Sequence, residues 1–203
     1  MIRLVSAWVV VNGLLLAPAW LSAALTGAPV PPWLAVEAAV LVGGMALLQR
    51  RPWSRGLAWI LAAGTVLAAA VSFADLVFRV SLGRTLNLSL DLYLLNAVYR
   101  LAVGNTGLLR TLLGLGATVA VVGGFVFLTA WLLAPTSRGG SEASSRRVPR
   151  FAAGMIGGAL VLGLVGLALP LVGNRVVAPA ATLLRDQAAL FRSTRLERVA
   201  FAA

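Results

Sequence analysis

Between Phe73 and Arg110 the chain gathers the side chains with which it could do chemistry: Asp75, Arg79, Arg84, Asn87, Asp91, Asn96, Tyr99 and Arg100. Asp75 precedes Arg79 by four residues, which on a helix is the favourable order for a local ion pair. The guanidinium groups of Arg84, Arg100 and Arg79 each offer two parallel donors to a phosphate. Asn87, Asp91, Asn96 and Tyr99 could orient either a bound headgroup or the arginines themselves. At the edge of a bilayer such a cluster costs free energy unless its members pair. It is therefore either a packing device whose members satisfy one another or the place where the protein meets something polar, and the sequence admits both.

Bond-breaking chemistry has little to work with. The 203 residues include no His and no Cys, which removes zinc-type sites, imidazole acid–base catalysis and thiol nucleophiles. No catalytic, cofactor-binding or metal-ligating residue is assigned, and no cofactor is expected. The 17 basic residues are all Arg and give a formal net charge of +11. In a soluble protein that charge would suggest nucleic acid. Here the arginines flank apolar runs, where they orient helices in a bilayer, so no nucleic-acid partner is expected. With 60% hydrophobic and 11% charged residues and a mean hydropathy of +0.95, the chain departs from the roughly one-quarter charged content of soluble domains. It reads as an integral membrane protein.

The elements that must position the cluster are apolar helices. Spans are expected at about 4–25, 33–48, 56–80, 111–133 and 151–172, forming an all-α, five-helix transmembrane bundle over residues 1–172. The first run is longer than the ~7 to 15 residue core of a signal peptide, so it is taken as an uncleaved span. Pro31 and Pro32 suit the opening turn of the second span, and Glu37 there reads as an interfacial cap favoured by the helix dipole. Gly114, Gly116, Gly123 and Gly124 in the fourth span would permit close helix contact, as would Gly154 and Gly158 in the fifth.

Residues 81–109 are too polar and broken to span. Leucines at every second position from Leu86 to Leu94 give way to a stripe at three and four, Leu90, Leu94, Leu95, Val98, Leu101 and Ala102. That pattern predicts an extended or turning start and then an amphipathic helix lying in the interface, ended by Gly104, Asn105 and Gly107. The tail, 173–203, alternates apolar residues with Arg185, Asp186, Arg192, Arg195, Glu197 and Arg198 and reads as a juxtamembrane amphipathic helix. The basic turn Gln49 to Arg55 and the Ser/Gly-rich basic linker Ala134 to Arg150 place both these loops in the cytoplasm. The amino terminus is then cytoplasmic and the carboxyl terminus extracytoplasmic, in a bacterial inner membrane.

The sequence Ala74-Asp75-Leu76, Arg79, Arg84, Leu86-Asn87-Leu88 and Leu90-Asp91-Leu92, followed by Leu94-Leu95 and Gly104, resembles the membrane region of bacterial sulfatase-like proteins of the alkaline phosphatase superfamily. These are the relatives of lipoteichoic acid synthases and phosphoethanolamine transferases. The resemblance implies five amino-terminal helices, with amphipathic segments after the third, leading through a linker helix to a large extracytoplasmic catalytic domain. The family's Thr or Ser nucleophile and its metal ligands have no counterpart at any position here, so the resemblance implies the membrane module without its enzyme. The partners it implies are membrane lipids, anionic ones in particular, and an extracytoplasmic phospho- or sulfo-transferase or hydrolase domain. A second expectation is an accessory subunit that packs against a larger membrane complex. A small transporter fits less well, because Glu37 and Asp75 lie near span ends and no internal repeat is visible.

Overall fold

The computed structural model describes residues 2–27, 32–49, 51–134, 152–159, 161 and 176–202. In chain order these form α1 (Ile2–Thr26), β1 (Leu34–Ala35), α2 (Val36–Leu48), α3 (Ser54–Leu82), α4 (Leu88–Asp91), a 3-10 turn (Leu92–Leu94), α5 (Leu95–Thr106) and α6 (Leu108–Leu133). Helix α7 covers residues 152–159, and β2 (Val176–Val177) and α8 (Pro179–Ala202) follow. The fold is mostly helical, as expected, with one addition. Strands β1 and β2 pair in parallel, Leu34 with Val176 and Ala35 with Val177.

Among the described residues three helices, α1, α3 and α6, are long and apolar enough to cross a membrane. At 1.5 Å per residue they extend about 37 to 44 Å, beyond the roughly 30 Å of hydrocarbon. The second expected span, 33–48, is realised differently. Its first residues form β1, and the 13 residues of α2 reach only about 20 Å. Most of the fifth expected span, 151–172, lies outside the described residues.

The core is built mainly from alanine and β-branched or leucine side chains. Ala7, Val11 and Leu15 recur at four-residue spacing on α1 and meet Ala38, Val42 and Ala46 of α2, Ala58 of α3 and Leu133 of α6. Small side chains let helices approach where lipid supplies no hydrophobic drive to associate. Among the described residues the expected glycine contacts do not form. Methyl groups placed on Gly114, Gly116, Gly123, Gly124, Gly154 and Gly158 would meet open space among the described residues. The reason in α6 is orientation: its buried residues are only Thr129, Ala130, Leu132 and Leu133, near the carboxyl end. Close approach occurs instead at Gly43, where a Cβ would stand 2.6 Å from Ile156 Cγ1 and 3.1 Å from the Ala152 carbonyl oxygen of α7.

Asn12 is the polar residue in the α1 part of this core, 7% exposed. Its Oδ1 accepts the Ala35 N–H at 2.8 Å and its Nδ2 donates to the Trp33 carbonyl at 3.2 Å. The β1 backbone therefore has partners on both sides, Asn12 and β2, which lets non-helical chain sit inside the bundle. Trp20 Nε1 donates to the Pro32 carbonyl at 2.5 Å and fastens the same segment to α1. At the opposite end of the bundle the Arg3 guanidinium lies 4.8 Å from the centroid of Trp131 on α6.

Candidate functional site at the α3–α4 turn

Helix α3 stops at Gly83, whose φ of 66° is a left-handed conformation that costs a glycine little. Its N–H donates to the Arg79 carbonyl at 3.1 Å. Residues 85–87 run without regular structure into α4, matching the expected extended start. Asn87 caps α4: its Oδ1 accepts from the Ser89 N–H at 3.1 Å and the Ser89 hydroxyl at 2.6 Å.

Two carboxylates hold this turn. Asp75 accepts Arg79 Nε through Oδ2 at 2.7 Å and the Leu86 N–H through Oδ1 at 2.8 Å. Asp91 accepts both terminal nitrogens of Arg84, at 2.5 and 3.1 Å, and also the Asn87 N–H at 2.8 Å. The Asp91 side chain is 7% exposed and that of Arg84 45%, so the acid is buried and the base closes over it. The Arg84 guanidinium also lies 5.0 Å from the Phe78 ring centroid. The hydrogen bonds from Arg84 hold Asp91 below the usual carboxylate range, against the opposing effect of burial, with the Asn87 N–H adding to them. The same bond raises Arg84 above its ordinary value.

Five of the eight predicted residues thus come together: Asp75, Arg79, Arg84, Asn87 and Asp91. Asn96, Tyr99 and Arg100 do not join them. They lie exposed on α5 and make no hydrogen bond or ion pair with the described residues. The apolar stripe of α5 is exposed as well, Leu95 at 58%, Val98 at 57% and Leu101 at 65%. A helix with no buried residue and an uncovered apolar side is what an interfacial helix presents to lipid.

Sequence reasoning missed the part played by the tail. Gln187 of α8 donates through Nε2 to the Leu86 carbonyl at 2.8 Å and accepts the Leu88 N–H through Oε1 at 3.2 Å. Its amide completes the backbone bonding of the turn from 99 residues away, and no local pattern signals that. Glu37 is also engaged elsewhere than expected, on α8 rather than on its own helix. Its oxygens accept the Ala180 and Ala181 N–H groups at 3.0 and 2.7 Å. With these two clamps α8 packs on α3, α4 and α1 and is an integral part of the bundle end.

Between α1, α3 and α8 lies a cleft of about 250 Å³. Asp75, Arg79 and Asp186 carry the charges of its lining. Among the described residues no group of three or more potential metal ligands comes together. No family profile, curated protein or solved structure matches the chain.

Proposed function

We propose that the chain is a non-catalytic membrane module that presents lipid headgroups at the extracytoplasmic interface. It would serve there as the anchor of a sulfatase-like phospho- or sulfo-transferase or hydrolase, in a five-span bundle with its amino terminus in the cytoplasm. The observation that carries this reading is α5. Its apolar stripe is uncovered while Arg100, Asn96 and Tyr99 stand exposed beside it without partners among the described residues. An exposed guanidinium on an interfacial helix attracts anionic headgroups. Arg84 has a different role, because Asp91 occupies both of its terminal nitrogens. The pair sets the turn that fixes where α5 begins.

The test counts phosphatidylglycerol molecules retained by the detergent-purified chain in native mass spectrometry. Arg100→Ala is expected to lower the retained number and Asn96→Ala to lower it less. Equal retention by wild type and Arg100→Ala removes the proposal.

A second reading, an accessory subunit of a larger membrane complex, is favoured by α6. Among the described residues its glycines face open space, and Leu109, Val119 and Phe127 are at least 60% exposed. Co-elution of a defined complex from mild detergent, lost on Gly116→Leu with Gly123→Leu, supports that reading over the first.

A further inference from the structure

The cleft between α1, α3 and α8 has an apolar floor and a mouth with charges of both signs. Leu15 and Pro18 of α1, Leu76 of α3 and Leu183 of α8 form the floor. Arg79 and Asp186 stand at the mouth with Ser22. Asp75 engages only the Nε of Arg79, so its terminal nitrogens keep their donors. Asp186 makes no hydrogen bond or ion pair with the described residues. Asp75 has each oxygen engaged already, by Arg79 and by the Leu86 N–H, and acts as the holder of Arg79.

The charges of this lining select among headgroups. One Arg and two Asp leave a net charge of −1 (+1 − 2), so a purely anionic head is repelled by Asp75 and Asp186. A purely cationic head meets Arg79. A head with an anion beside a cationic nitrogen satisfies both, and electrostatic complementarity of this kind sets specificity. We infer that the cleft receives the zwitterionic head of a membrane amphiphile, with its anion on Arg79 and its cationic nitrogen on Asp186. The floor seats the first carbons of the chains. No aromatic ring among the described residues lines the cleft, so recognition of the nitrogen runs through hydrogen bonds to Asp186 and not through a ring face. A nitrogen bearing N–H groups then binds more tightly than a trimethylated one.

This inference rests on the reading of the chain as a lipid-presenting module, but it concerns a different site from α5, and the two fail separately. The full chain in detergent is titrated with short-chain phosphatidylethanolamine, phosphatidylcholine and phosphatidylglycerol, and with glycerophosphoethanolamine as the free head. Expected is tighter binding of phosphatidylethanolamine than of phosphatidylcholine, with the free head weakest. Asp186→Asn should weaken phosphatidylethanolamine about threefold to tenfold, the loss of one charge-assisted hydrogen bond, and phosphatidylcholine, which has no N–H to donate, less. The same variant leaves the Arg100-dependent retention of phosphatidylglycerol as in wild type. Asp186 has no partner among the described residues, so Asp186→Asn keeps the wild-type melting temperature, and any effect on binding is local. Unchanged affinity for phosphatidylethanolamine in Asp186→Asn overturns the assignment of the cleft. Equal binding of the free head and the intact lipid overturns the assignment to an amphiphile. Loss of Arg100 dependence with the Asp186 effect intact overturns the α5 reading and leaves the cleft standing.

Discussion

The carboxylate of Glu37, in the first turn of α2, accepts the N–H of Ala181 at 2.7 Å across a separation of 144 residues. Its other oxygen accepts the N–H of Ala180 at 3.0 Å. Pro179 opens α8, where its missing N–H costs nothing, but the residue before it, Ala178, has no side-chain acceptor to offer. Glu37 supplies from another helix the cap that the local sequence lacks, and its charge also faces the positive end of the α8 dipole.

Glu37→Ala should therefore lower stability by about 1 to 3 kcal/mol, the cost of unmade charged hydrogen bonds, while Glu37→Gln loses less. Hydrogen exchange checks where the loss falls. Faster exchange over residues 180–187 with α1 and α3 unchanged is expected. Uniform acceleration across the bundle would show that Glu37 does not act through α8.

Acid should loosen the α3–α4 turn in a defined window. Asp91 is held below its ordinary value of 3.8 by Arg84 first and by the Asn87 N–H as well. A depressed carboxylate contributes stability that is fully present above the unfolded value and is lost as pH falls through the folded one. Thermal unfolding of wild type and Asp91→Asn, compared between about pH 7 and pH 3, should show a gap that narrows only below 3.8. A gap independent of pH over that range would mean that the charge of Asp91 is immaterial.

How far the sequence led depends on distance along the chain. The Asp75–Arg79 pair was legible because a helix brings residues four apart together. Arg84 and Asp91 were legible as a polar cluster but not as partners, since their meeting needs the left-handed Gly83 and the irregular stretch after it. The α5 stripe was legible from periodicity; of the expected helix enders only Gly107, with φ of 85°, stops α5, while Gly104 and Asn105 lie inside it. Glu37 with Ala181, Gln187 with Leu86 and Asn12 with Ala35 were not, because each joins elements whose adjacency no local pattern encodes. The α6 glycines meet nothing close among the described residues, because small residues permit contact without specifying which face is used.

Gly43 is the glycine at which substitution should tell. A Cβ there would stand 2.6 Å from Ile156 Cγ1, the methylene next to the branched Cβ, which moves only by rotating the whole β-branched side chain, and 3.1 Å from backbone at Ala152. Gly43→Val is expected to cost about 1 to 3 kcal/mol by overpacking, whereas Gly116→Val, in open space among the described residues, should be near neutral. Melting temperatures in the same detergent compare the two. Equal losses would mean that α7 does not pack on α2 through Gly43.

Thr129 offers the opposite sign. Several hydroxyls in the long helices donate to the carbonyl four residues back, as Thr65 does to Leu61 at 2.8 Å and Thr118 to Gly114 at 2.9 Å. Thr129 is 0% exposed, and its hydroxyl has no partner among the described residues. A buried hydroxyl left unbonded costs about 1 to 3 kcal/mol, so Thr129→Val, which keeps the branched shape and removes the unmet group, should raise the melting temperature. Thr129→Ala removes the same hydroxyl but also a methyl group, and the cavity it leaves offsets the gain. The ordering Val above Ala, with Val above wild type, isolates the hydroxyl as the destabilising atom. A lower melting temperature for Thr129→Val than for wild type would show that this hydroxyl is bonded in the folded protein.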